Sequence, residues 1–540
     1  MMLLKEIYET LEDIVGPDNI SEDPAILDSY AYQMGNEVTV TPGNRFMSRP
    51  AAVVMPGSTE EVQSVVKTCN RFRIKYKAYS TGWGFWGGCQ RDGMVFLDLR
   101  RMGRILEIDE KNMFAVVEPY VVAAQLQAEA MKRGLNCHIT GAGASHSCLA
   151  AATSLQGNGP DTLSMGFSSE NVLGIEWVMP SGEILRTGSL GSGAGWFCGE
   201  GPGPSLRGLC RGNVGAAGGM GVYTKCALRL DPWPGPPFLP VEGKAPAYKT
   251  PLPKNIRAYT IALPTWKAYA DCYHKIYDAE IGYILHSQFN KFGEDLQGAM
   301  IRIISDDTKH LDDLEELIND SEVQRFNEEL KRSFQIVLAG MTQRDIEYQE
   351  RALDEILNET GGKKVAQMSD REMEKYVLMY LIRLPYKNLN FVYAGGYTTC
   401  FTHKGPPDFV VSYVPDAMEL LKKHQETGLI VDCGANSMMG ASAFMGGGGI
   451  AWFEQFMFHD PHVKESMQEG CLVVGDSGKF SREHSWPSTY EGAFGSEEQK
   501  KSQMLASNQP AVYRWQRRIK EALDPNDVGD GNYAVLNDGK

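Results

Sequence analysis

The feature that most limits how this chain can fold is glycine, concentrated in three stretches that carry little side-chain bulk. The first is GWGFWG at Gly82 to Gly87, the second GAGASHSCLAAATSLQGNG over 141–159, and the third GNVGAAGGMGVYTKCALRLDPWP over 212–234. Backbone of this kind permits a close approach that branched residues forbid. A tight turn beside a core explains one such loop. Three, far apart in sequence, ask for a shared reason.

The surroundings of the first loop narrow that reason. RPAAVVMP (Arg49 to Pro56) reads as a short apolar strand, and Ser58 with Glu61 forms a capping box opening a helix to about Arg73. KYKAYS (75–80) is then a strand that delivers the chain into the loop. A Rossmann phosphate turn must continue into a helix whose amides hold the pyrophosphate. Here QRDG and another strand, MVFLDL (94–99), follow instead, so the Rossmann reading fails on context. What remains is a core turn or a cradle in which successive loop amides surround phosphate oxygens without a helix. The second glycine stretch leads into ENVLGIEWVMPSGEILRTG (170–188), two strands joined by a turn at Pro180-Ser-Gly, and the third runs into a strand.

Composition sets the outer bounds. The chain has 540 residues, 43% hydrophobic and 22% charged, enough for two or three globular domains. A net charge of −15 with no Lys/Arg cluster argues against a nucleic-acid binder. MMLLKEIYETLEDIVG spaces its apolar residues as an amphipathic helix and not as a signal peptide, and no run of about 18 apolar residues predicts a membrane span. A cytoplasmic protein is expected. The eleven cysteines form no CxxC pair, so free thiols are expected and any iron-sulfur centre would sit on another subunit.

Taken in order, VVMPGSTEEVQSVVKTCN, STGWGFWGG, MVFLDLRRMGRILEIDEKNMFAVVEPYV, AAATSLQGNG with ENVLGIEWVMPSGEILRTG, and GMGVYTKCALRLDPWP resemble the FAD-linked oxidases of the vanillyl-alcohol oxidase and p-cresol methylhydroxylase type. The agreement covers roughly residues 45–235, and the tail IKEALDPNDVGDGNY resembles the closing helix and turn of that family. The resemblance implies an α+β fold: a PCMH-type FAD-binding domain over 1–235, an α+β cap with an antiparallel sheet over 236–479, and a C-terminal return over 480–540. It also implies FAD lying extended across the first domain. Ser80, Thr81, Gly82, Trp83, Gly84 and Phe85 would hold the phosphates. Ser147, Cys148, Thr153, Gly157, Asn158 and Gly159 would line the ring and ribitol, and Gly221 with Val222 the adenine side. Trp83 and Trp86 read as packing residues. Many relatives attach the flavin covalently, but this first loop has Cys89 and no histidine, and Cys148 reads as a buried thiol, so non-covalent FAD is expected.

Beyond Pro234 a proline-rich arm leads into alternating strands and helices. RAYTIALP (257–264), MIRIISD and FQIVLAGM read as strands; TWKAYADCYHKIYDAEI and QRDIEYQERALDEILNET read as helices. The charge run from Asp312 to Lys331 reads as a solvated helix face. Flavin oxidation needs a C–H placed against the ring, a group that takes or stabilises a hydroxyl or phenol proton, and an anchor for the rest of the substrate. Tyr393, Tyr397, His403, His459, Arg482 and His484 are the candidates. Each has a structural alternative: a histidine before Asp-Pro caps a turn, and a lone arginine pairs at the surface. Arg482 and His484 are favoured by position, because the resemblance implies a histidine or arginine over the flavin at that return.

Relatives that oxidise D-2-hydroxy acids carry an HxGDGNxH segment that binds a divalent metal. The corresponding ASAFMGGGGIAWFEQFMFHDP lacks two imidazoles and an aspartate, so no metal is expected. GDGN at Gly529 reads as a turn. Methionines and aromatics crowd 438–458, as in a core or an apolar site. The substrate class expected is a para-substituted phenol or aromatic alcohol, with phenolate stabilised by Tyr or Arg. A 2-hydroxy acid held by Arg482 is the alternative, and a non-catalytic flavin-binding subunit the third reading. The electron acceptor would be oxygen or a partner such as an electron-transferring flavoprotein, a cytochrome or an iron-sulfur subunit. A homo-oligomer is expected.

Overall fold

A computed structural model of the chain describes residues 3–32, 35–39, 43–82, 87–89, 91–140, 143–154, 157, 159–196, 198, 200, 206–210, 219–243, 248–287, 297–306, 308–382, 396–430, 438–443, 449–484 and 510–530. Strands β1 (Ile20–Ser21), β2 (Ala52–Val54), β3 (Tyr76–Tyr79) and β4 (Val95–Asp98) make a sheet in the order β1-β2-β4-β3. β2, β4 and β3 run parallel. The crossover helix Thr59–Phe72 buries Val62, Val65, Val66 and Cys69 on one face, which is the 3.6-residue spacing of its sequence. Ser58 Oγ accepts from the Glu61 amide at 3.2 Å, while the Glu61 carboxylate accepts from the Gly57 amide, one residue outside the expected capping box. The helix stops at Arg73, which is left-handed at φ 57°. The N-terminal helix Lys5–Val15 adds Ile7, Leu11 and Val15 to the same core.

A second sheet is antiparallel throughout. β5 (Ile105–Asp109), β6 (Phe114–Val117), β8 (Val172–Val178), β9 (Ile184–Arg186) and β10 (Val222–Arg229) lie in the order β5-β6-β10-β8-β9, and β7 (Leu135–Asn136) pairs with β11 (Asp231–Pro232) as a short ribbon. Leu149 and Ala152 of the helix Cys148–Ser154 share a core with Val172, Ile175 and Cys226 of this sheet.

The third sheet has seven antiparallel strands: β12 (Ile256–Ala262), β13 (Ile284–Ser287), β14 (Ser333–Ala339), β15 (Lys363–Lys364), β16 (Gly396–Gly405), β17 (Met438–Ala443) and β18 (Gly449–His459), in the order β15-β12-β14-β13-β17-β18-β16. Alternation divides its two faces. Ile261, Leu285, Phe334, Ile336, Phe453 and Met457 pack with the helices Trp266–Asp278, Gln343–Thr360 and Pro407–Gln425. Ala258, Ile284 and Val337 pack on the opposite side with Tyr376, Val377 and Tyr380 of the helix Arg371–Ile382 and with Met165. Each fully buried Val, Ile, Leu or Phe contributes about 1.5–3 kcal/mol.

One sequence expectation fails in this region. MIRIISD is not a strand: Gln297–Ser305 is a helix whose Ala299, Met300 and Ile301 are buried. A short apolar run satisfies either period, and here Asn327 Oδ1, accepting from the Gly298 amide, together with Leu317 and Val323 settles it as helical.

The tail closes on the first sheet. Helix Pro510–Leu523 is followed by a bridge from Gly529 to Tyr76, so the last described residues run beside β3. Residues 480–483 belong to the long helix Lys464–Glu483, so 480 falls inside an element.

Candidate functional site

The first glycine loop leaves the carboxyl end of β3, an edge strand of a parallel sheet, which is where open α/β sheets bind ligands. Ser80 and Thr81 are half-buried, and Gly82 is left-handed at φ 70°, where a Cβ would press on the Tyr79 hydroxyl. Tyr79 is locked in turn against Tyr30 and Phe96, with ring centroids 5.4 and 5.6 Å away. Trp83, Gly84 and Phe85 lie outside the described residues.

The second glycine stretch joins the first directly. The Ser147 amide donates to Thr81 Oγ1 at 3.1 Å across 66 positions of sequence. Ser147 Oγ donates to the Pro119 carbonyl at 2.5 Å and accepts from the Ala150 amide at 3.0 Å. Cys148 and Thr153 are buried on the helix Cys148–Ser154, and burial pushes the Cys148 thiol up to about 12. Cys89 is likewise held protonated, pushed by burial to about 12. Farther along, Gly157 (φ 67°) and Gly159 leave no room for a Cβ, at Gly157 because Ser168 Oγ would stand 2.5 Å away. Asn158 lies outside the described residues.

Behind this segment stands a buried pair that the sequence reading missed. His138 Nε2 donates to the Gly157 carbonyl at 2.7 Å, and Nδ1 faces Asp161 Oδ1 at 2.6 Å. Asp161 Oδ2 accepts from the Ile139 amide at 2.8 Å. Burial disfavours the imidazolium, but Asp161 and the Gly157 carbonyl outweigh it and raise His138 above its ordinary range. Neighbouring His146 has no carboxylate, and burial lowers it to about 4. Both histidines line a cavity of about 20 Å³ with Cys148, Ser168, Asn171 and Arg229, large enough for one water molecule.

The third stretch is tied in from two sides. The Trp177 indole donates to the Met220 carbonyl at 2.6 Å, and Lys520 Nζ donates to the Gly219 carbonyl at 2.7 Å and the Gly529 carbonyl at 2.8 Å. Gly221 is left-handed at φ 105°, with Trp177 Nε1 2.7 Å from where its Cβ would be; Val222 opens β10, fully buried. The GDGN segment does more than turn: Asp530 Oδ2 accepts from Lys77 Nζ at 3.0 Å, both buried. Despite burial, Lys77 and Arg91 hold the Asp530 carboxyl below its ordinary range.

The catalytic candidates do not form one cluster among the described residues. Tyr393 lies outside them. Tyr397 is on β16, paired in the ladder with Phe458, and His403 is paired with Phe453. Arg482 is within the helix Lys464–Glu483, and His484, exposed just past its end, stacks its ring on Phe480 at 4.2 Å. His459 is fully buried at the end of β18, with Nε2 2.8 Å from Glu37 Oε1, which is 1% exposed. Its alternation with Phe453 and Met457 puts it on the helix-covered face, where Val38 also packs. His459 is thus paired with Glu37 on that face. Gly396 makes room for it: a Cβ there would stand 2.6 Å from Nε2. No cluster of His, Cys, Asp and Glu suited to a metal occurs among the described residues.

A flavin nucleotide fits what these residues offer. The first two segments, with left-handed glycines and half-buried hydroxyls, are bonded to each other, and the third is held by Trp177 of β8 and by Lys520, which leaves backbone accessible to a long, flat, phosphate-bearing ligand.

Residues 50–188 match the model of an FAD binding domain. The glycolate oxidase subunit GlcD of Bacillus subtilis is 28% identical over 43% of this chain and 46% of its own length. The flavoprotein subunit of Pseudomonas putida 4-cresol dehydrogenase is 30% identical over 42% of this chain and 43% of its own. The chain thus spans less than half the length of the curated relatives it matches. Among solved structures, substrate-bound p-cresol methylhydroxylase shares the fold at a TM-score of 0.74 and 17% identity, covering 99% of this chain and 97% of that one. Alkyldihydroxyacetonephosphate synthase gives 0.63 and 13%, covering 98% and 84%.

Proposed function

We propose that this chain, an FAD-binding protein with the p-cresol methylhydroxylase fold, is an oxidoreductase that removes a hydride from a hydroxylated small molecule. The observation that carries the reading is the Thr81–Ser147 bond, which joins the first two glycine segments inside the matched domain. Ser80, Thr81, Gly82, Trp83, Gly84 and Phe85 hold the phosphates; Ser147, Cys148, Thr153, Gly157, Asn158 and Gly159 line the ring and ribitol; Gly221 and Val222 meet the adenine side. Bound FAD supplies the hydride acceptor. The protonated state of Cys89 and Cys148 supports non-covalent binding, because a thiol, unlike a thiolate, does not attack the ring.

The substrate is a para-substituted phenol or aromatic alcohol. The likeness to 4-cresol dehydrogenase and the aromatic sequence of β18 support it. Tyr397 and Arg482 serve as anchors for the phenolate, while His459 is given to architecture by its bond to Glu37. A 2-hydroxy acid is the second reading, supported by the likeness to the glycolate oxidase subunit and to a probable D-lactate dehydrogenase of Danio rerio. Electrons leave to oxygen or to a partner protein.

Anaerobic titration of the yellow holoprotein with 4-hydroxybenzyl alcohol and, separately, D-lactate tests the reading. Bleaching of the flavin bands by the alcohol alone is expected. Bleaching by lactate alone moves the assignment to the hydroxy-acid class, and no bleaching by either removes both.

A further inference from the structure

The polar groups that the cap sheet turns toward the flavin segment sit on none of the strands singled out for chemistry from the sequence. Thr260 on β12, Gln335 on β14 and His286 on β13 are direct cross-strand neighbours, Thr260 to Gln335 and Gln335 to His286. Direct neighbours in antiparallel pairs share a face, so the three make a row. All are buried, His286 at 2% exposure and the others at 0%. Alternation puts them with Ala258, Ile284 and Val337, on the face that packs with Met165 and the helix Arg371–Ile382. Buried polar side chains in such a row need a reason, since their described neighbours Ala258, Ile284 and Val337 are apolar.

The row ends beside the segment that lines the ring. The Leu285 amide donates to the Pro160 carbonyl at 2.9 Å, and Ser164 Oγ donates to the Tyr283 carbonyl at 2.8 Å. These bonds fasten 159–165, which continues directly from Gly157 and Asn158, to the strand that carries His286. On the other side, the residue opposite His286 on β17 is Gly440, which places no side chain against the imidazole. His286 thus follows directly on Leu285, which is bonded to Pro160, and has Gly440 opposite it on the neighbouring strand.

The geometry points to His286 as the cap-side proton acceptor of the reaction, standing at the end of the row that runs through Gln335 to Thr260. This rests on the oxidoreductase reading above. As the substrate C–H bond breaks, its hydride passes to oxidised flavin, the hydroxyl O–H bond breaks, its proton passes to the imidazole, and the C=O double bond forms. The substrate loses two electrons and two protons' worth of hydrogen, and flavin with His286 receives them. Among the described residues, the titratable groups buried against this face include Tyr283, Glu374, Tyr376 and Tyr380, with Asp161 on the flavin segment paired to His138; Glu454 and Lys404 lie in the ladder beyond Gly440. Tyr283 and Tyr380 are pushed above their ordinary range by burial, so neither competes as a base near neutrality.

The test compares holoprotein with His286→Gln and Gln335→Leu. Flavin reduction by 4-hydroxybenzyl alcohol is followed by stopped flow from pH 5 to 9, and the flavin midpoint potential is measured over the same range with dithionite and a reference dye, which needs no substrate. His286→Gln should keep wild-type FAD content and Tm, reduce about a hundred-fold or more slowly, and lose the acidic limb of the rate profile. Gln335→Leu should shift that limb and keep most of the rate. Because a titrating imidazole beside the ring couples to its reduction, His286→Gln should also alter the pH dependence of the potential. An unchanged rate profile, or an unchanged potential profile where the alcohol reduces neither protein, overturns the assignment. A potential profile altered by His286→Gln in protein that no probe reduces upholds the placement of His286 and sinks the substrate reading instead.

Discussion

At the scale of single residues, the buried neighbours His138 and His146 respond to pH in opposite senses. His138 has Asp161 beside Nδ1 and the Gly157 carbonyl beside Nε2, and both favour the protonated ring. Its folded pKa is raised, so its contribution to stability is complete below the unfolded value of 6.5 and is lost as pH rises through the folded value. His146, lowered to about 4, works the other way. Its contribution is complete above 6.5 and is lost as pH falls toward 4, by about 3 kcal/mol at the lower end. His146→Gln should therefore flatten the fall of Tm between pH 6.5 and 4; an unchanged slope would assign that fall to other groups. His459 and Glu37 are fully buried together, 422 residues apart. Replacing either alone with alanine leaves the other buried and uncompensated, so urea unfolding should report a loss of about 3–5 kcal/mol. The double replacement Glu37→Leu with His459→Leu should lose less than the two singles summed.

At the scale of elements, the glycine stretches and the strands around them were legible because their signals are local. Ser58 with Glu61, the Pro180-Ser-Gly turn between β8 and β9 and the apolar stripe of Thr59–Phe72 each state their own structure within a few residues. MIRIISD misled for the opposite reason: its apolar run fits both periods, and only partners from 317–327 decide it. His286 was invisible because ILHS offers a histidine in a strand and nothing else; its meaning comes from Gln335 and Pro160, which are close only in space. Gly221 tests the elements directly. Alanine there must adopt φ near 105° and meet Trp177 Nε1, a strain of about 1–3 kcal/mol. Gly221→Ala should unfold at lower urea and retain less flavin, read as the ratio of flavin to protein absorbance. Thr81→Val, which removes the acceptor for the Ser147 amide, should weaken FAD binding about five-fold, and Thr81→Ser should restore it.

At the scale of the molecule, the closing tail and the N-terminal segment bind parts that are separate in sequence. Lys520 is buried with Asp524 and reaches both Gly219 and Gly529, while Glu37 enters the helix-covered side of the cap sheet. FAD that binds only the folded chain adds stability by mass action, about 2.7 kcal/mol at a hundred times its Kd. Stripping the flavin should thus lower Tm, and adding FAD back should restore it. Acid precipitation should leave a colourless pellet and a yellow supernatant; a yellow pellet would mean a covalent link and exclude the reading of Cys89 and Cys148 as inert thiols. Among the described residues no helix is long and apolar enough to cross a membrane.

What the sequence determined by itself is the nucleotide-binding half: its glycines, caps and strand periods are short-range statements, and short-range physics is written in neighbouring residues. The tertiary structure alone decided which polar groups meet. Glu37 finds His459, His138 finds Gly157, and Leu285 finds Pro160 because packing brings distant segments together, and no local pattern encodes such a meeting.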